Sequence, residues 1–213
     1  ADLLTGRLQL FEQRGKKRGT LLFGPPGTGK TTLARLICTS VYGGRILALD
    51  TRMWQDPSEW VERVVEFLAP RVIFIDDMDR HKMHAGLRFL SGATCSIIGT
   101  VNTIAKLDRA FLRPGRFDEV RPVFVPPAEH LARIARFYCE HDGVTEEVEK
   151  IASVVAAKGF SPAEIREIIL SLSVCGVQHL SHEVTRMDAH RQHYANVFDE
   201  APSDNDANDV SEE

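Results

Sequence analysis

The chain is predicted to fold as a three-layer α/β sandwich around a parallel sheet, followed by a small helical domain. Two observations carry this. Short apolar, β-branched runs alternate with helix-like stretches as far as Val125, and after Pro126-Pro127 every patterned stretch has helical spacing. The strand runs are Thr20–Phe23, Arg45–Asp50, Val72–Asp76, Ser96–Thr100 and Val120–Val125. Three of the first four are nearly continuous apolar runs, as expected of parallel strands covered on both faces. Helices are expected between them at Thr31–Tyr42, Ser58–Leu68 and Lys82–Leu90.

In the second half, Leu131, Ile134, Ala135 and Tyr138 recur at helical spacing within Ala128–Glu140. Thr145 is expected to cap a second helix, with Glu146 and Glu147 in its first turn. Ser161-Pro162-Ala163-Glu164 reads as a capping box with Pro at the first helical position, leading into Ile165, Ile168, Ile169 and Leu172. The expected organisation is an α/β domain over 1–126, a helical domain over 127–176, a polar helix over 177–198 and a disordered acidic tail over 199–213.

The formal charge of −4 hides an asymmetry, because the tail 199–213 holds seven acids and no base. Without it, 26 bases face 23 acids, too small an excess to imply nucleic-acid binding by itself. Apolar runs of four to six residues exclude a helical membrane span. Ala1 in place of Met reads as the start of an excised or processed piece, and the opening residues lack the pattern of a secretory leader. Cys38, Cys95, Cys139 and Cys175 are far apart with no CxxC pair, so reduced thiols in a cytoplasmic or other reducing compartment are expected.

Gly24-Pro25-Pro26-Gly27-Thr28-Gly29-Lys30-Thr31 fits GxxxxGK(S/T) between a strand and a helix. Glycines let consecutive N–H groups turn inward around phosphates, and the following helix, from Thr31 and Thr32, adds its positive end. Lys30 would neutralise β- and γ-phosphate charge, and Thr31 would ligate Mg²⁺. Val72–Ile75 then runs into Asp76, an acid placed to hold Mg²⁺, and Asp77, placed to polarise an attacking water.

The loop matches word for word the phosphate loop of AAA proteins in the narrow sense, and Asn102 to Asp118 resembles their second region of homology. This resemblance implies a P-loop NTPase fold with a helical lid, Mg²⁺-dependent ATP hydrolysis, and a homo-oligomeric ring or spiral, hexamer-like, acting on a macromolecular client, most readily a protein. It assigns Asn102 to the polar position called sensor 1. It also assigns Arg113 and Arg116, in Leu112-Arg113-Pro114-Gly115-Arg116-Phe117-Asp118, as arginine fingers reaching a neighbour's γ-phosphate. Gly159–Ile165 is similar to the family's lid segment; Ala163 falls where other branches carry an arginine, which implies that the lid packs on the adenine. Within the family, the compact spacing is most similar to the translocases of the Rieske subunit and to single-module phage and bacterial relatives.

Three departures stand out. Asp77 replaces the family's usual glutamate, one methylene shorter, which implies slower hydrolysis. Where the family's central-pore loop usually reads aromatic–aliphatic–glycine, this chain has Thr51-Arg52-Met53-Trp54-Gln55, so Trp54 is the candidate pore aromatic, and Arg80–Ala85 leaves little length for a second pore loop. Two other functions remain open. The basic cluster Arg14–Arg18 would suit a DNA-associated loader or initiator, and Asp77 would suit an ATP-gated scaffold with very slow turnover. His81 and His84, His179 and His182, and His190 and His193 are paired at i,i+3 without a companion ligand, as on a solvated surface.

Overall fold

The structure is a computed structural model describing residues 2–49, 59–80, 90 and 92–199. Chain contacts divide it into two compact units, one ending at Val125 and the other beginning at Pro126.

The first unit is a five-stranded parallel sheet in the order β2-β3-β4-β1-β5. The strands are β1 (Gly19–Phe23), β2 (Ile46–Leu49), β3 (Val72–Ile75), β4 (Ser96–Val101) and β5 (Glu119–Pro122). Helices α1 (Asp2–Gln13), α2 (Lys30–Tyr42) and α3 (Glu59–Leu68) cover it. Strand alternation sorts the core into two layers. Leu21, Ile73, Ile75 and Ile97 pack with Val61 and Val65 of α3. Their strand neighbours Leu22, Val72, Phe74 and Ile98 pack with Ala34, Ile37 and Val41 of α2 and Leu8 of α1. All eight strand residues are buried, which is why their runs read as continuously apolar rather than alternating.

The sheet is the fold class that the alternation predicts, but details differ. Helix α1 went unpredicted: its apolar residues Leu4 and Leu8 acquire meaning only by packing beside α2. β5 ends at Pro122 rather than Val125, because proline has no N–H for the ladder; only the Val123 N–H follows it, onto the Phe23 carbonyl at 2.7 Å. Residues 82–89 of the expected helix Lys82–Leu90 and the pore-loop assignments at Trp54 and 81–85 lie outside the described residues, as does the acidic tail from 200 onward.

The second unit holds α4 (Ala128–His141), α5 (Val148–Ala157), α6 (Pro162–Cys175) and α7 (Leu180–Asp199), around a core that includes Leu131, Ile151, Val155, Phe160, Ile168 and Leu172. Thr145 does not cap α5. Glu147 occupies the N-cap with φ 49, a left-handed conformation that breaks the helix there, while the Val144 N–H is held by the Cys139 carbonyl at 2.8 Å. The capping box at α6 is present: Ser161 Oγ accepts from the Glu164 N–H, and the Glu164 carboxylate accepts from the Ser161 N–H at 2.7 Å.

Arg191 of α7 completes this corner. It donates to Glu164 at 2.9 Å and to the carbonyls of Lys158 and Gly159, and lies 4.7 Å over the Phe160 ring. Burial pushes the Glu164 carboxyl up, but Arg191 and the Ser161 N–H outweigh it, so its pKa is lowered. A lowered carboxyl stabilises the fold above the unfolded value, roughly 4.3, and that contribution disappears as the pH falls through the folded value. Glu164→Gln should therefore melt below the parent at neutral pH, with the gap closing on acidification. A gap of constant width in melting curves between neutral and strongly acid pH would contradict this.

Candidate active site

Three chain segments meet at the C-terminal ends of β1, β3 and β4, which in the sheet order are neighbours through β4. This is where open parallel sheets carry their ligand crevice. β1 ends at Phe23, and the loop 24–29 curls into α2. Gly24 anchors the loop: its N–H bonds the Val101 carbonyl at 3.3 Å, and a Cβ there would sit 2.2 Å from the Val123 carbonyl oxygen. At the other end Gly29 is the N-cap of α2 with φ 93, a conformation that L side chains resist. Thr28 Oγ1 braces the turn by donating to the Pro25 carbonyl at 2.9 Å, while Pro25 and Pro26 are exposed and Gly27 is half-buried.

The first helical bond at this end runs from the Leu33 N–H to Gly29, so the N–H groups of Lys30, Thr31 and Thr32 precede the helix's own ladder and present its positive end. Lys30 itself is buried. Its ammonium donates to the carbonyls of Gly24 and Pro25, both at 2.8 Å, and to Asn102 Oδ1 at 2.9 Å. Burial lowers its pKa, and the carboxylates of Asp77, Asp79 and Asp76 pull the other way.

Asp76 sits one residue beyond β3. It accepts from the Thr31 hydroxyl at 3.0 and 3.2 Å and from the Thr100 hydroxyl at 2.5 Å. A hydroxyl and a carboxylate held together are hard oxygen donors of the kind Mg²⁺ prefers, so the residues fit that ion. Asp77 follows with φ 50, and its N–H donates to Thr100 Oγ1 at 2.9 Å. Left-handed backbone is more accessible to Asp and Asn than to Glu, which gives a local reason for the shorter acid here. Asn102 links the segments: Oδ1 accepts from Lys30, and Nδ2 lies 3.5 Å from Asp77 Oδ1, at the outer limit of a hydrogen bond.

Two residues of this cluster were not anticipated. Thr100 touches both acids, and Asp79 Oδ2 accepts from the N–H groups of Asn102 and Thr103 at 3.0 and 3.1 Å, setting the backbone at the end of β4. Asp79 Oδ1 is buried without a hydrogen-bond partner among the described residues.

Arg113 and Arg116 are not in this cluster. They flank a turn closed by the Arg116 N–H on the Arg113 carbonyl at 3.2 Å, just before β5. β5 starts opposite the beginning of β1, with Glu119 level with Thr20, and Arg116 lines a small cavity with Lys17 and Arg18, which precede β1. The turn therefore lies at the opposite end of β1 from the phosphate loop, about 13 Å away at strand rise. The two arginines differ. Arg113 is exposed and has no ion pair among the described residues, whereas Arg116 is half-buried and donates to its own chain's Ala110 carbonyl at 2.5 Å. Ala163 stands in the first turn of α6, in the second unit. Of the basic cluster, Lys17 donates to the Ala93 carbonyl at 2.5 Å, and Arg18 pairs with Asp118 and stacks on Phe11.

Comparison with known proteins agrees with this geometry. Residues 20–124 match the family described as ATPase family associated with various cellular activities (AAA). Protein SAV of Sulfolobus acidocaldarius is 32% identical over 200 residues, 78% of this chain and 25% of its own length. The proteasome-activating nucleotidases of Methanoculleus marisnigri and Methanoregula boonei are 29% and 28% identical, over 80% and 88% of this chain and 48% and 50% of theirs. The chain thus spans half or less of the length of these relatives. No described helix is long and apolar enough to cross a membrane. The matched stretch contains the glycine-rich loop, both acids that follow β3, Asn102 and both arginines, and by sequence and fold together the chain carries a domain of the AAA ATPase family.

Proposed function

We propose that the chain is a Mg²⁺-dependent ATP-hydrolysing module of a homo-oligomeric ring or spiral that remodels or translocates a protein client. The observation that carries the reading is the convergence of Lys30, Thr31, Asp76, Asp77 and Asn102 at the ends of adjacent strands. The N–H groups of 27–32 would hold the phosphates, with Lys30 against the β- and γ-oxygens. Thr31 and Asp76 would hold Mg²⁺, which when bound would supply positive charge to offset that of the phosphate. Asp77 would take a proton from the attacking water, and Asn102, tied to Lys30, would orient that water.

The arginines support a shared site. From the far end of β1 neither guanidinium is placed for its own chain's phosphates, while exposed Arg113 is available to a neighbouring copy. Loss of the γ-phosphate would loosen such an interface, the kind of change that moves a client. A protein client follows the names of the relatives, proteasome-activating nucleotidases. Lys17 and Arg18 make contacts within their own chain while Arg14 and Lys16 are exposed, so the DNA-loader reading is decided by the DNA arm of the test below.

The test is steady-state phosphate release with Mg²⁺-ATP alone, with an unfolded protein and with DNA, alongside a native mass in ATP. Stimulation by unfolded protein and a multimeric mass are expected. Stimulation by DNA alone would favour a loader, and ATP binding without turnover would favour a gated scaffold.

A further inference from the structure

Thr100 is fully buried in β4, and its hydroxyl is engaged twice. β3 and β4 are in parallel register with Ile75 level with Gly99, so one step on Asp76 lies level with Thr100. The hydroxyl proton goes to Asp76 Oδ1 at 2.5 Å, the length of a charge-assisted bond, and its oxygen accepts from the Asp77 N–H at 2.9 Å. A hydroxyl has one proton and cannot serve two carboxylates as donor, so this pairing leaves a single arrangement. It also answers a geometric need. Consecutive strand residues point to opposite faces, and Asp77 departs from the strand with φ 50; a turned peptide of that kind persists only if something holds it. By contrast, Thr20 of β1 is equally buried and its hydroxyl has no hydrogen-bond partner among the described residues, so a threonine in this sheet does not by itself acquire two partners.

We propose that Thr100 is a positioning residue of the hydrolytic site, its hydroxyl closed between Asp76 and the backbone of Asp77 so that the metal-holding acid and the water-polarising acid keep one mutual orientation. The proposal rests on the ATPase reading for the roles of the two acids, and on geometry alone for the coupling between them. Asp76 also receives the Thr31 hydroxyl, so the chain of contacts runs from the first turn of α2 through Asp76 and Thr100 to the backbone of Asp77.

The experiment compares the parent, Thr100→Val, which keeps the shape and removes the hydroxyl, and Thr100→Ser, which keeps the hydroxyl. Three readouts are taken: amide hydrogen exchange at Asp77 without nucleotide, the Mg²⁺ concentration for half-maximal turnover and, with Mn²⁺ as probe, metal affinity in the presence of ADP, and kcat against KM for ATP. Thr100→Val is expected to speed exchange at Asp77, to weaken metal affinity and kcat by about 10–100-fold each, and to leave metal-free ADP affinity near that of the parent. Thr100→Ser is expected to recover most of each. If Thr100→Val lowers melting temperature and nucleotide affinity while exchange and metal dependence stay parental, the residue is only packing and the proposal is overturned. A parent that fails to hydrolyse ATP would instead overturn the ATPase reading, with Asp77 exchange and Mn²⁺ affinity still deciding for or against the coupling.

Discussion

An Arg113→Ala chain is expected to bind ATP almost as the parent does and to hydrolyse it slower by about three to five orders of magnitude, the usual worth of an arginine finger and equivalent to about 4–7 kcal/mol of barrier. Arg113 is the cleaner of the two arginines to test, because it is exposed and makes no ion pair among the described residues. Replacing Arg116 also removes its hydrogen bond to Ala110, so any loss there mixes chemistry with local structure. Mixing decides where the arginine acts. Arg113→Ala subunits keep an intact phosphate loop, and Lys30→Ala subunits keep an intact arginine edge. In a mixed assembly some interfaces pair the two intact halves, and turnover should reappear although neither parent variant has it. Catalysis by independent chains predicts no recovery at any ratio. Specific activity that stays flat on dilution to nanomolar concentration, with a monomeric mass in ATP, would sink the shared site.

The second large effect is expected from Lys30→Ala. All three ammonium protons are engaged, on Gly24, Pro25 and Asn102, so the side chain ties the loop to the end of β4. A hydrogen bond to a charged partner is worth about 1.5–3 kcal/mol, and loss of one to a phosphate should weaken ATP binding by roughly 10–150-fold. The fold should survive. The loop is also held by the Gly24 N–H on the Val101 carbonyl and by the left-handed Gly29, neither of which involves the lysine side chain, and a buried ammonium is itself costly. Isothermal titration with ATP, beside melting curves, checks both halves of this expectation. Parental ATP affinity would show that the loop does not bind phosphate through Lys30.

Features whose cause lies within a few residues could be read from the chain directly. The glycine-rich turn, the capping box at Ser161 and the apolar strands ending at Asp76 are set by local hydrogen bonds and by the periods of helix and strand. Helix α1 was missed because Leu4 and Leu8 pack against a helix some thirty residues away. The start of α5 was misplaced because the left-handed Glu147 outweighs the capping preference of Thr145.

The roles of Thr100 and Asp79 were beyond local reading for a related reason. Thr100 meets Asp76 and Asp77 from 24 and 23 residues away, and Asp79 meets Asn102 from 23 residues away, across strands whose register only the folded sheet establishes. Arg113 and Arg116 stand alike in the sequence. Backbone turning just before β5 leaves one exposed and bonds the other to Ala110. The sequence by itself determined the loop, the acids and the helix start at Pro162, and placed the start of α2 at Thr31, next to the observed Lys30, because those depend on neighbours along the chain. The tertiary structure alone decided how the acids are held and which arginine is available, because those depend on strand register and on backbone turns that no short stretch specifies.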